Sequence, residues 1–139
     1  MAFLQVADYT NISTAELNDI TGGSALIRED AERRAQAMIE DYLNTRYLTE
    51  QIFIDYSGAT PDPRHQSIVK YMVDISLYLL FQRLAFDQMP QHRQIAYDNA
   101  IDWLKDVSRQ RISPALPQPD NDSLEEVKYG SNNKRITRF

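Results

Sequence analysis

The residue types that most often do chemistry in proteins are few in this chain and widely spaced. Its two histidines, His65 and His92, each stand near the start of a predicted helix, with no carboxylates at metal-ligand spacing. Glu40 and Asp41 are adjacent on a predicted helix, where neighbouring side chains point apart and cannot work as an acid–base pair. The absence of cysteine excludes disulfides, cysteine-ligated zinc and thiol nucleophiles. We therefore interpret both histidines and both acids as exposed side chains and expect no metal and no cofactor.

The sequence also lacks the motifs that cradle phosphates or activate a nucleophile. It contains no P-loop, no G-x-G-x-x-G and no G-x-S-x-G pattern. Ser13, Ser24 and Ser67 fit helix caps or helix interiors better than nucleophiles, and the Gly22-Gly23 pair predicts a helix stop. An enzyme would need a pocket where scattered carboxylates converge, and their spacing predicts none. We expect that the protein is not an enzyme.

Length and composition bound the remaining function classes. The chain has 139 residues, 42% of them hydrophobic and 25% charged, which is typical of one globular domain. Its formal net charge of −5 argues against a protein that grips DNA through bulk positive charge. No apolar run approaches the roughly 18 residues that span a bilayer, and the N-terminal MAFLQVADYT predicts no signal peptide. The simplest interpretation is a soluble protein that is made and used in a reducing compartment and does not bind a membrane.

Glycines and prolines divide the chain into long windows with helical spacing of apolar residues. Between the second and third helices lies an irregular connector, 48–63, whose QIFIDY stretch fits either a short strand or an extended loop. The predicted fold class is all-α, a small bundle of about four helices with an extended C-terminal arm. The predicted helices are a short one that follows an N-cap at Ser13 and stops at Gly22 or Gly23, one over roughly 25–47 after an N-cap at Ser24, one over 64–88, and one over 90–111 that begins with Pro90 as its first residue.

The third predicted helix is apolar around nearly its whole circumference, interrupted only by Lys70, Asp74 and Arg83. Because a helix that is apolar all round must be covered on most sides, we expect a partner subunit to cover part of it. Lys70 and Asp74 stand at i, i+4 and should pair. The residues predicted to pack between subunits are Tyr71, Ile75, Tyr78, Phe81 and Trp103.

The composition changes at Ile112, which divides the chain into a helical domain, 1–111, and an extended arm, 112–139. Residues 112–127 hold three prolines and four acids without a base, whereas 128–139 hold four bases without an acid, so the net charge belongs to the helical domain. Spaced apolar and basic residues at the end predict an arm that orders on a partner; a frayed terminus is the alternative. The basic end could contact DNA phosphates, but the acidic domain favours a protein partner. The candidate partner-binding residues are Val127, Tyr129, Lys134, Arg135, Ile136, Arg138 and Phe139.

Several segments together resemble the small head–tail connector proteins of tailed bacteriophages, also called head-completion or adaptor proteins, in particular the Mu-like group. The resemblance covers about residues 3–116 and rests on the order of the segments and on the residues within them. After Tyr9 come ELNDITGG, the helix DAERRAQAMIEDYLNTRY, the apolar PDPRHQSIVKYMVDISLYLLFQR, and YDNAIDWLKDVSRQRISPAL, which is the closest match. The connector 48–63 departs from the Pro-rich form common in that family.

The resemblance implies a non-enzymatic, structural virion protein that is made in the host cytoplasm and located at the neck of the particle. Proteins of this family are mainly helical and form a homo-oligomeric ring, usually a dodecamer, beneath the portal protein. The ring extends the DNA channel, lets DNA pass without specific binding, and presents a surface to the next neck or tail-completion protein. The alternative is a small helical protein–protein adaptor or regulator outside any virion.

Overall fold

The fold is a bundle in which three long helices surround most of the core. The computed structural model describes residues 3–84 and 89–119, which are all-α and contain no strand. This confirms the predicted fold class. The described helices are a 3₁₀ helix at Val6–Asp8, α1 at Thr14–Thr21, α2 at Ala25–Leu43, α3 at Thr49–Ile52, α4 at Gln66–Gln82 and α5 at Gln91–Ser108.

The first two helices begin where their caps predict. The Ser13 hydroxyl accepts a hydrogen bond from the backbone N–H of Glu16 at 3.1 Å, and the Ser24 hydroxyl accepts one from the N–H of Ile27 at 3.4 Å. α1 ends at Gly22, whose φ of 64° is the left-handed conformation that glycine adopts without a steric penalty. These features follow from local sequence alone.

The other helix ends lie inside the predicted bounds. α2 stops at Leu43 instead of 47, because the chain turns there and buries Tyr47, which is 5% exposed. α4 and α5 are likewise shorter at both ends than predicted, and Pro90 is the N-cap of α5 instead of its first helical residue. The glycines and prolines set outer limits for each helix, whereas tertiary packing decides where it ends.

The connector contains a short helix, so the strand interpretation of QIFIDY is wrong. α3 occupies Thr49–Ile52 and buries Ile52, and the chain continues from Phe53 as a loop. The Phe53 ring packs edge-on against Phe3, with centroids 5.2 Å apart. Ile52 and Phe53 of this stretch pack on the core, and the described residues hold no strand with which the stretch could pair.

α4 lies at the centre of the bundle, between α2 and α5, and the chain itself covers most of it. Ile75, Leu77 and Leu80 are fully buried. Besides the long helices, the core includes residues from outside them, among them Phe3 and Leu116. The apolar circumference of α4 therefore does not require a partner subunit to cover it, because segments before α1 and after α5 complete the core.

The first residues of the predicted arm pack on the helical domain. The backbone N–H of Leu48 donates to the carbonyl of Pro117 at 2.9 Å, and Leu116 is buried at 8% exposure. The composition changes at Ile112, but contacts with the bundle continue to this point. Residues 120–139, which include every candidate partner-binding residue of the arm, lie outside the described residues.

Candidate functional site

The five residues predicted to pack between subunits occupy two different environments. Ile75 is 0% exposed and Phe81 is 6% exposed, so both belong to the core of their own chain and offer no surface to a neighbour. This corrects two of the five assignments, because the side of α4 that carries them is covered by the rest of the chain. Tyr71, Tyr78 and Trp103 are partly exposed, and their proposed role in subunit packing stays a prediction.

The partly exposed aromatic residues form two pairs that join α4 to α5. Tyr71 and Trp103 have ring centroids 4.9 Å apart, and Tyr78 stacks on Tyr97 at 3.9 Å with an interplanar angle of 17°. The order of the pairs along the two helices makes these helices antiparallel. Such pairs are worth about 0.5–1.5 kcal/mol each beyond the area they bury. Their first role is therefore within the chain, and only their exposed edges remain for a partner.

The structure contains a concave surface of about 440 Å³ that was not predicted from the sequence, and we call it the acidic groove. It lies where the N-terminal segment, α2 and the loop after α3 meet. Three carboxylates and one guanidinium line it together with apolar side chains. The lining residues are Phe3, Leu4, Glu29, Glu32, Arg33, Gln36, Phe53, Asp55 and Met72.

Glu32 is the buried carboxylate of the acidic groove, with only 6% of its side chain exposed. Its Oε2 accepts hydrogen bonds from the Tyr9 hydroxyl at 2.6 Å and from Arg28 Nη1 at 2.8 Å. Burial raises the pKa of the Glu32 carboxyl, and burial followed by the Glu32 charge raises the pKa of Tyr9. Within 3–84 and 89–119 no hydrogen bond reaches Oε1. The groove therefore holds a carboxylate oxygen that accepts no hydrogen bond from the described residues.

Arg64 fixes the N-terminal segment that forms one wall of the acidic groove. Its side chain is 3% exposed and forms salt bridges with Asp8 and Asp62, both at 2.7 Å. Arg64 Nη1 also donates to the backbone carbonyl of Phe3 at 2.8 Å, and the guanidinium lies 3.8 Å from the centroid of the Tyr56 ring. Bonds to Arg64 hold the pKa of the Asp62 carboxyl below its ordinary range. One buried cation thus connects the chain start, the connector and the start of α4.

A second groove, which we call the α2–α4 groove, has a volume of about 490 Å³ and a different charge. Two arginines and one aspartate line it, and Arg83 also donates to the carbonyl of Ile20 at 3.1 Å. Leu26 at its edge is 77% exposed, the most exposed of the large apolar residues described. The lining residues are Leu26, Ile27, Asp30, Ala31, Arg34, Leu79, Gln82 and Arg83.

The predicted pair of Lys70 with Asp74 is confirmed, at 2.9 Å, although Asp74 itself is buried. His92 is exposed as predicted, whereas His65 is half-buried at the N-cap of α4. Burial lowers the pKa of His65, and its Nδ1 has no hydrogen-bond partner. In the part of the chain that the structure describes, no group of three or more potential metal ligands converges, and no helix is long and apolar enough to cross a membrane.

A family model described as "Bacteriophage Mu, Gp36" matches residues 4–130. The chain belongs to this family. Neither the curated proteins nor the solved structures include a match to the chain. Membership confirms the resemblance to Mu-like phage proteins and indicates a phage protein of the structural or morphogenetic kind.

Proposed function

We propose that this protein is a non-enzymatic component of the phage neck. In this proposal several copies form a ring between the portal protein and the next neck or tail-completion protein, and the ring extends the DNA channel and joins head to tail. The observation that carries the proposal is the family match over residues 4–130, which covers both the helical bundle and the start of the arm. The structure supports it through the division of the chain into a self-contained bundle and an anchored arm.

The bundle supports a role as a rigid unit within an assembly. Its core closes within one chain, and Arg64 and Leu116 tie the two ends of the described chain to it. A unit of this kind can be placed beside further copies without refolding. The exposed edges of Tyr71, Tyr78 and Trp103 are the surfaces we assign to contact between copies.

The anchor at Pro117 supports a docking role for the rest of the arm. Because the Leu48–Pro117 hydrogen bond fixes where the arm leaves the bundle, residues 120–139 start from a defined point on each copy. Spaced apolar and basic residues at the end of the arm suit an extended segment that pairs with a partner's backbone and fills its pockets. We assign this partner as the portal protein.

Net charge supports the role of a conduit that does not hold DNA. The formal charge of −5 belongs to residues 1–111, since the acids and bases of 112–139 cancel. A negative surface beside a channel repels the phosphate backbone, so the duplex stays mobile. Specific recognition of DNA forms no part of the proposal.

Co-sedimentation with the portal protein of the same phage tests the proposal. The full chain should sediment with portal, whereas a chain that ends at Pro119 should stay in the supernatant with unchanged helical circular dichroism, because all described contacts remain. Arg135→Glu with Arg138→Glu should weaken co-sedimentation in a salt-dependent way. As a matched control, Lys105→Glu with Arg109→Glu changes the charge equally at exposed positions of the bundle that line neither groove. A full chain that never binds portal contradicts the proposal and favours an adaptor outside the virion.

A further inference from the structure

We propose that in the free protein the acidic groove binds the last six residues of the same chain, 134–139. This inference rests on the proposed function, because it concerns the arm that we assign to portal docking. It adds a second partner for that arm, on the chain's own surface. The groove lies within the described residues, and the occupant is identified by its sequence, KRITRF.

Charge is the first ground for this pairing. Glu29 and Asp55 are exposed acids on the lining of the groove, and Glu32 adds a buried carboxylate. The fourth charged residue of the lining is Arg33, which shares the Asp30 carboxylate with Arg34, so the lining holds three acids against one base. A basic peptide therefore fits this groove. The α2–α4 groove, with two arginines, does not offer the same complement.

The groove and the segment both combine charged and apolar residues. The segment holds basic Lys134, Arg135 and Arg138 together with apolar Ile136 and Phe139. Among the apolar residues of the lining, Phe53 is only partly buried and offers surface to the segment, whereas Phe3, Leu4 and Met72 are at most 5% exposed. Aromatic side chains that meet edge to face are favourable, and the Phe3–Phe53 pair already has this geometry. Oε1 of Glu32 supplies an acceptor for a charge-assisted hydrogen bond from a guanidinium.

The length of the arm allows the segment to reach the groove of its own chain. From Pro119 to Lys134 an extended chain can span at most about 50 Å. The arm leaves the bundle beside Leu48, and Phe53, which lines the groove, follows five residues later, within about 18 Å. A tether of this kind gives an effective concentration of about 1 mM, far above the concentration of a second copy at micromolar protein. The occupant is therefore the segment of the same chain.

An occupied groove would withhold the arm until portal competes for it. Portal must then bind residues 134–139 more tightly than the groove does. The apparent affinity of the arm for portal is reduced to the fraction of chains whose groove is unoccupied, which we call open chains. Docking of the arm on portal would therefore require residues 134–139 to leave the groove. The device would keep free copies from using their arms before a portal is present.

Paramagnetic broadening in the free, full-length protein tests the proposal without portal. Since the chain has no cysteine, Thr137→Cys gives one attachment point for a nitroxide label. Backbone amide signals of Phe3, Phe53 and Asp55 should lose more intensity than those of Leu26 and Leu79 in the α2–α4 groove. Equal intensities at both grooves, or broadening confined to the α2–α4 groove, would overturn the proposal.

Charge exchange and a mixing experiment complete the test. Glu29→Lys with Asp55→Lys should lower the ratio of docked to open chains about tenfold, and Lys134→Glu with Arg138→Glu in the same chain should restore it. Asp41→Lys with Asp102→Lys is the matched control on exposed positions away from the groove, and it should change nothing. No loss with the groove variant overturns the proposal.

A mixture of labelled ¹⁴N protein and unlabelled ¹⁵N protein separates the two possible sources of the segment. We expect no broadening, since the segment comes from the same chain. Broadening in the mixture would show that a second copy supplies it and would overturn the proposal. All these measurements omit portal, so a failure of the neck role leaves their outcome unchanged.

Discussion

Arg64→Met should destabilise the protein more than any substitution of an exposed ion pair. The Arg64 side chain is 3% exposed and satisfies Asp8, Asp62 and the Phe3 carbonyl at once. Methionine fills much of the same volume but leaves the Asp8 carboxylate, which is 13% exposed, without its cation. The variant therefore tests whether one buried cation holds the N-terminal segment in place.

The expected loss follows from the burial of the pair. Removal of one partner from a buried salt bridge costs about 3–5 kcal/mol, and the partial exposure of Asp8 places this case near the lower end, at about 3 kcal/mol. For a domain of this size such a loss lowers Tm by roughly 10 °C. Asp8→Asn combined with Arg64→Met should cost less than the sum of the single changes, because the two residues share one interaction.

Urea denaturation followed by far-ultraviolet circular dichroism at pH 7 measures the change. The urea midpoint should fall with an unchanged slope, since the surface exposed on unfolding stays the same. Arg33→Met is the control, because its side chain is 75% exposed and its salt bridge should be worth less than about 1 kcal/mol. A loss below about 1 kcal/mol for Arg64→Met would show that Arg64 does not hold the N-terminal segment in place.

Substitutions at three further positions test separate parts of the fold. Ser13→Ala should lower the free energy of unfolding by about 1 kcal/mol in thermal or urea unfolding. Ser13→Asp should retain most of that stability, because its carboxylate still caps the N–H of Glu16. Equal losses for the two variants would contradict the cap. Leu116→Ala should lower the free energy of unfolding by about 2 kcal/mol. No loss would show that the start of the arm does not contribute to the core. The folded-state pKa of Glu32 is raised, so the folded protein binds more protons than the unfolded chain just above the ordinary carboxyl pKa, and stability falls as pH rises through that window. Glu32→Gln should flatten that fall in unfolding measured from pH 4 to 7; an unchanged slope would assign it to other groups.

The parts of the fold that could be predicted are those that local chemistry determines. Ser13, Ser24 and Gly22 carry their cap geometry in the residues beside them, so α1 and the start of α2 were predicted closely. The cover of α4 could not be predicted, because it depends on Phe3 and Leu116, which are distant in sequence. An apolar helix predicts that something covers it but not which segment does.

The candidate site was less predictable for the same reason. Glu29 and Glu32 lie in the early turns of α2, where acids suit the helix dipole, and nothing in α2 alone shows that Phe3 and Asp55 come beside them. Arg64 brings those segments together through bonds that span more than fifty residues. Ile75 and Phe81 were misplaced because an apolar periodicity does not distinguish a core face from a subunit contact.

Electron microscopy of portal particles incubated with the full chain tests whether the protein forms a ring on the portal. We expect an added ring-shaped layer on one end of the portal, with several copies of the chain around an open channel. Native mass spectrometry of the same sample should give a fixed number of copies per portal. Portal particles without an added layer at saturating concentrations of the chain would contradict the account.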